Sequence, residues 1–258
     1  MMDLFRYDFD YTWPWTLGHI IATVVFGLLT VLVWRAGWSR LAAVATGTLA
    51  AWALVGAFIV HGPMRFNRPM DLPTERFLSS GSGRVLDAGA GSGRSALMVL
   101  LGRPQARVVA LDLFLEGYGI GENTPDRLRA NARVAGVEDR LEVQTGDLRQ
   151  MPLESASFDA VVSAYAIDHL NPEGIRGSLA EVSRVLRPGG ELLLMVVNPD
   201  GWTRVAFPLF GAHGYFGGRG AAERWRTAVV EAGFEIVEEG TAAATLFLLV
   251  RKGAAATD

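Results

Sequence analysis

The chain has 258 residues, half of them hydrophobic, with a mean hydropathy of +0.24 and a formal net charge of −3. That length bounds it to one or two units, and the acidic balance argues against a nucleic-acid partner, which draws on a basic surface. Cysteine is absent, which excludes disulfides, zinc–thiolate centres and a cysteine nucleophile.

Tyr11 to Trp34 and Leu41 to Met64 each lack a charged residue, and each is longer than the roughly 20 helical residues that cross a hydrocarbon core. Eleven of the seventeen residues from Leu17 to Val33 are Leu, Ile, Val or Phe, each favouring insertion by about 0.3 to 0.6 kcal/mol. The second run is richer in alanine. Its Ala43, Gly47 and Ala51 recur every four positions and predict a helix face packed on the first helix near Gly18, Ala22 or Gly27. Trp13, Trp15, Trp34 and Trp38 sit at the ends of the runs, where interfacial aromatics belong. A signal peptide would be shorter and would start with a positive segment, whereas Asp3, Asp8 and Asp10 here face Arg6 alone. Residues 1–62 therefore read as a transmembrane helical hairpin with spans at about 13–34 and 41–61. The connection from Arg35 to Arg40 is short, so both ends lie on one side. That side carries Arg6, Arg65, Arg68 and Arg76, a bias that places the main domain in the cytoplasm.

Residues 63–82 read as a linker, broken by Pro63, Pro69, Pro73 and the run Ser79-Ser80-Gly81-Ser82-Gly83. Thr74 to Leu78 is predicted as a short helical turn.

The stretch Arg84-Val85-Leu86-Asp87-Ala88-Gly89-Ala90-Gly91-Ser92-Gly93-Arg94 organises the rest. An apolar run ends in a carboxylate, three alternate glycines follow, and Ser95 to Leu101 continues in a helical pattern. This reads as strand, tight turn and helix. Glycine lets a backbone approach a ligand closely, and a helix N-terminus offers free N–H groups to it. Further strands are predicted at Arg107 to Asp112, Leu141 to Thr145, Phe158 to Ala164, Glu191 to Val197, Phe234 to Glu239 and Ala244 to Arg251. Helices are predicted at Pro125 to Ala135, capped by Thr124 and stopped by Gly136, at Pro172 to Leu186, and at Glu223 to Ala232. Such alternation predicts an α/β domain over residues 83–258, doubly wound, with a mostly parallel seven-stranded sheet and helices on both faces. Ligands in these sheets bind at the carboxyl ends of strands, where Asp87, Asp112, Asp147 and Ser163 are predicted to lie.

In order, the glycine turn, Asp112, Gly146-Asp147-Leu148, Phe158-Asp159-Ala160-Val161-Val162-Ser163 and Leu186-Arg187-Pro188-Gly189-Gly190 resemble the class I S-adenosylmethionine-dependent methyltransferases over about residues 76–251. The resemblance implies S-adenosylmethionine as cofactor. Asp87, Gly89, Ala90, Gly91 and Gly93 would hold its methionine part, Asp112 both ribose hydroxyls, and Leu113 the adenine face. Gly146, Asp147 and Leu148 would meet the adenine edge, and Ser163, Ala164 and Tyr165 would line the methionine side. Two other readings stay open. Gly91-Ser92-Gly93-Arg94-Ser95-Ala96 also fits the G-x-G-x-x-A turn of a nicotinamide dehydrogenase, and a non-catalytic scaffold would keep the same fold.

Methyl transfer to an alcohol or phenol calls for a base, and the candidates are His169, His213 and Tyr215. Asp168 reads as a cap for the helix after Pro172. Asn198 to Gly220, long and aromatic, is the expected acceptor pocket, and Leu115 to Asn123 is a candidate lid. The anchor points to a small, apolar or membrane-partitioning acceptor. No Asn-Pro-Pro-Tyr-type tetrapeptide follows the fourth strand, which argues against amino methylation of DNA bases, and no metal cluster is expected.

Overall fold

The structure, a computed structural model, describes residues 6–115, 120–197, 220–242 and 245–253. The chain begins with a strap, residues 6–12, that leads into a short helix α1 (Trp13–Thr16) and then two long helices, α2 (Gly18–Arg35) and α3 (Arg40–His61). At 1.5 Å per residue they span about 27 and 33 Å, and both are long and apolar enough to cross a membrane. The expected first span is broken at Leu17 rather than continuous from 13 to 34. The carbonyl of Thr16, just before the break, lies 2.7 Å from His61 Nε2.

The two helices pack as an antiparallel pair, and the expected stripe holds in part: Ala43 and Gly47 are half-buried, with Gly47 facing Thr30 of α2. Ala51 is exposed. The contact face instead runs through Thr46, Ala50, Ala53, Gly56 and Val60, a repeat of three and four that keeps one seam toward a partner helix. The Thr30 and Thr46 hydroxyls lie 3.0 Å apart across this seam, and each also reaches a carbonyl of its own helix, Phe26 and Ala42. At Gly56 the His19 ring comes so close that a Cβ would stand 2.0 Å from His19 Cδ2. The outward faces present Leu28, Leu32, Leu54 and Phe58, all exposed.

The remaining elements are β1 (Ser82–Ala88), α4 (Arg94–Gly102), β2 (Gln105–Asp112), α5 (Pro125–Ala135), β3 (Leu141–Thr145), β4 (Phe158–Ala164), α6 (Pro172–Val185), β5 (Leu186–Val197), α7 (Ala221–Glu231), β6 (Phe234–Ala242) and β7 (Thr245–Lys252). They build a seven-stranded sheet in the order β3-β2-β1-β4-β5-β7-β6. Strands β3 to β5 in that order are parallel, whereas β7 runs antiparallel to both β5 and β6. The sheet is therefore mixed. Only residues 243–244 separate β6 from β7, too few for the dozen-residue crossover that a parallel pair needs.

Successive residues of a strand face opposite sides. Val161 accordingly enters a core with Leu179 and Val182 of α6 and Trp225 of α7, while Val162 enters a second core with Leu97 of α4 and Ala132 of α5. That second core also takes in Phe9 from the strap and Phe77 from the linker, both buried. The expected short turn is present, over residues 75–80, and does not extend into a helix. Asp168 does not cap α6: Asn171 does, accepting from the Gly174 amide at 2.8 Å, and buried Asp168 accepts instead from the Val197 amide at 3.2 Å. The expected turn at Arg187 to Gly190 lies within β5, where the pairing with β4 shifts register between Phe158 and Ala160.

Candidate functional site

β1 pairs with β2 on one side and β4 on the other, and the chain winds outward from this point in both directions. The glycine turn thus leaves the sheet at its topological switch point, where such folds hold ligands. A cavity of about 800 Å³ opens there. Its wall includes Gly89, Ala90, Gly91, Asp112, Leu113, Asp147, Leu148, Ala164, Tyr165 and His169.

The turn is shaped by close approach. Gly89 has φ +88°, and a Cβ there would lie 2.2 Å from the Ala166 Cβ. Gly91 has φ +51° and more room, its nearest neighbour being Ile120 Cδ1 at 3.0 Å. The turn and the end of β2 are joined by hydrogen bonds: the Gly91 amide donates to Asp112 Oδ2 at 2.9 Å, and the Phe114 amide to Asp112 Oδ1 at 2.6 Å. A carboxylate held by backbone donors at a strand end is preset to accept from a ligand's hydroxyl.

Four of the sequence-predicted residues stand behind the wall rather than on it. Asp87 is fully buried and accepts from Ser95 Oγ, and burial pushes its carboxyl up to about 7. Ser163 is buried too, its hydroxyl donating to the Ala88 carbonyl at 2.8 Å, which ties β4 to the end of β1. Gly93 caps α4 and packs on Leu128, and Gly146 packs against Leu111 and Pro152. Asp147 is on the wall, but Arg149 grips both its oxygens, at 2.6 Å for Nη2 to Oδ2. Hydrogen bonding from Arg149 holds its carboxyl below the usual carboxylate range. His169 is on the wall, and burial pushes its imidazole down. Tyr165 adopts φ +55° at the sharp exit from β4. Its phenol meets the Thr245 hydroxyl, and burial pushes it up. His213 and Tyr215 lie outside the described residues, as do Glu116 and Tyr118 of the candidate lid. Among the described residues no cluster of three or more metal-ligating side chains forms.

Sequence reasoning missed three contributors. The strap supplies Tyr11, and the linker supplies Met64, Phe66 and Met70. The strap is bound to the glycine turn: Asn131 takes the Asp8 amide on its Oδ1 and donates to the carbonyls of Asp8 and Ser92, while Ser92 Oγ donates to the Phe9 carbonyl. Arg127 pairs with Asp8 and Asp10. The linker is bound by Arg94, whose guanidinium donates to the carbonyls of Met64, Arg65 and Arg68. The third is Asn123, buried beside Asp112 and donating to its Oδ1 at 3.1 Å. An Arg or Asn that binds main-chain carbonyls or one carboxylate far along the chain leaves no periodic signal.

Comparison with known proteins agrees with this geometry. Residues 85–190 match the methyltransferase domain family. A ubiquinone/menaquinone biosynthesis C-methyltransferase UbiE from Syntrophotalea carbinolica is 32% identical over 117 residues, covering 45% of this chain and 44% of that protein. A malonyl-[acyl-carrier protein] O-methyltransferase from Laribacter hongkongensis is 36% identical over 126 residues, 45% of this chain and 38% of that one. The chain thus spans less than half the length of these curated relatives. Among solved structures, a SAM-dependent methyltransferase from Methanosarcina mazei shares the fold with TM-score 0.56 at 18% identity, covering 72% of this chain and 100% of that one. The [4+2]-cyclase SpnF shares it with TM-score 0.54 at 19% identity, covering 70% and 79%. The residues of the cavity wall suit a nucleoside cofactor of such enzymes: a backbone-held carboxylate can accept from a ribose, a β-carbon-free turn lets a ligand approach, and apolar Leu113 and Leu148 line the same space. Of the two cofactor readings of the glycine turn, the nucleotide one gives way. Residues 85–190 match a methyltransferase domain, and the fold around them is that of a solved SAM-dependent methyltransferase.

Proposed function

We propose that the whole protein is a membrane-anchored methyltransferase whose acceptor is a small, apolar, membrane-partitioning molecule. One observation carries this reading. The cavity that starts at Asp112 and the glycine turn continues to a wall of Met64, Phe66 and Met70, and this wall starts three residues after His61, the end of α3. At about 800 Å³ the cavity is near the top of the roughly 300–1,000 Å³ range of small-molecule sites, which leaves space for cofactor and acceptor together. The hairpin supports the anchor. Its helices leave their outer apolar side chains uncovered, and a soluble monomer rarely exposes so large an apolar surface. In the proposed orientation α2 and α3 cross the bilayer, the Trp38 turn faces the far side, and the domain lies in the cytoplasm.

When bound, S-adenosylmethionine supplies a methyl carbon on a positively charged sulfur. The chain's part is to align the two reactants and manage a proton. Asp112 would accept from the ribose, Leu113 would cover the adenine face, and Asp147 and Leu148 would bound its edge, with Gly146 packed behind them. Gly89, Ala90 and Gly91 shape the methionine side with Ala164 and Tyr165, backed by Asp87, Gly93 and Ser163. His169 is neutral at pH 7, since burial lowers its affinity for protons, and a neutral imidazole on the wall accepts a proton from an acceptor O–H. His213 and Tyr215 are the further candidates for that task, on the segment after β5.

The test uses membranes containing the full chain, radiolabelled cofactor and extraction into organic and aqueous phases. Label is expected in the organic phase. Label confined to water-soluble small molecules, or cofactor binding without turnover of any extractable acceptor, overturns the proposal.

A further inference from the structure

Asp112 is short of acceptor capacity. Each carboxylate oxygen offers about two lone-pair sites. Both sites of Oδ1 are filled, by the Phe114 amide at 2.6 Å and Asn123 Nδ2 at 3.1 Å, and one site of Oδ2 is filled by the Gly91 amide at 2.9 Å. One site remains, while a ribose brings two hydroxyl donors.

Asn123 stands beside this carboxylate. It lines the cavity and is 6% exposed. Its Nδ2 donates both to Asp112 Oδ1 and to the Leu115 carbonyl, at 3.3 Å. Both partners are acceptors only, so the amide orientation is forced: turned over, its carbonyl would face two oxygens. The Asn123 Oδ1 is therefore the free end. It is shielded from solvent and accepts no hydrogen bond among the described residues. Asn123 is also the one cavity-lining residue, among those described, with a buried side-chain acceptor left in that state. A buried acceptor without a donor is costly, and a donor from a ligand removes the cost.

We infer that Asn123 is a second ribose-binding residue: its Oδ1 accepts from one of the cofactor's two ribose hydroxyls, while Asp112 Oδ2 accepts from the other. This rests on the assignment of S-adenosylmethionine to the cavity. The amide has a double task, since its Nδ2 orients Asp112 and its Oδ1 reads the sugar.

Calorimetry on the detergent-purified full chain tests this with S-adenosylhomocysteine and its 2′-deoxy and 3′-deoxy analogues. Wild-type protein is expected to bind each analogue about tenfold or more weakly than the parent, one hydroxyl for each acceptor. In Asn123→Ala the penalty for one analogue should fall to within about twofold while the penalty for the other persists. Uniform weakening of all three nucleosides by Asn123→Ala marks a merely structural residue and overturns the inference. So does a wild-type protein that tolerates the loss of either hydroxyl within twofold, a measurement that needs no variant to fold. Absence of heat with any of the three overturns the cofactor assignment and the inference together.

Discussion

The guanidinium of Arg94, at the first turn of the helix that follows the glycine loop, stands 5.4 Å from the centre of the Phe66 ring. Arg94 is buried, and its hydrogen bonds go to the carbonyls of Met64, Arg65 and Arg68. One side chain thus fastens the linker over the cavity and joins the cofactor turn to the foot of the hairpin. Hydrogen bonds to a charged donor contribute about 1.5–3 kcal/mol each, and the cation over the ring adds about 1 kcal/mol.

Removing that fastening should free the linker without removing the domain. Arg94→Met keeps the aliphatic stem and deletes the donors. Tryptic cleavage after Arg65 should then accelerate about tenfold or more, and the acceptor KM should rise further than the Kd for S-adenosylhomocysteine. Unchanged cleavage at Arg65 would count against Arg94 as the clasp.

The glycines of the turn should fail in different ways. In Gly89→Ala the new Cβ meets the Ala166 Cβ at 2.2 Å with φ at +88°, so backbone must move, at about 3 kcal/mol or more of stability. In Gly91→Ala the φ of +51° is one that alanine adopts at about 1–2 kcal/mol, and the Cβ occupies space between the turn and Ile120. Thermal melting should drop sharply for the first and little for the second. Binding of S-adenosylhomocysteine, measured on folded Gly91→Ala, should weaken about tenfold.

Asp87 gives the fold a pH dependence of defined sign. Burial raises its carboxyl from the ordinary 3.8 to about 7. Between those values the native state holds a proton that the unfolded chain has released. Stability from this group is therefore full below about pH 4, declines as pH rises to about 7, and is level above that. The steepest slope is about 1.4 kcal/mol per pH unit. Asp87→Asn should remove this decline, seen as a flatter melting temperature from pH 4.5 to 7.5 than in the wild type. Parallel profiles for the two proteins would show that Asp87 is ionised throughout.

The parts of the fold that rest on local pattern were legible from residues alone. Thr124 and Gly136 bound α5 as capping chemistry requires, with Thr124 Oγ1 accepting from the Arg127 amide at 3.3 Å and Gly136 in the left-handed region. β3 and β4 begin and end at the residues expected from their sequence. The parts that depend on what meets across the chain were not legible. A four-residue spacing placed Ala51 on the helix seam, but the seam follows three-and-four spacing through Ala53 and Gly56. Nothing local says that Asn131 will reach back to Asp8, or that Asn123 will donate to Asp112. The family match spans residues 85–190, so it covers the glycine turn and Asp112. The cavity wall of Tyr11, Met64, Phe66 and Met70 comes from the strap and linker, outside it.

The hairpin's proposed topology is open to a direct measurement, because the chain has no cysteine of its own. Any introduced thiol is then the sole site of labelling. Trp38 is 69% exposed in the turn between α2 and α3, and Glu154 is exposed on the domain. If α2 and α3 cross the bilayer with the domain in the cytoplasm, a membrane-impermeant maleimide should label Trp38→Cys in intact spheroplasts and Glu154→Cys only after lysis. Labelling of Glu154→Cys alone in intact spheroplasts would invert the orientation. Protection of both until lysis, with protein released by carbonate at high pH, would mean that the apolar faces of α2 and α3 are covered by protein instead of lipid. In that case the wall of Met64, Phe66 and Met70 would no longer open beside a bilayer, and the argument for a membrane-partitioning acceptor would fall while the cofactor site stood unchanged.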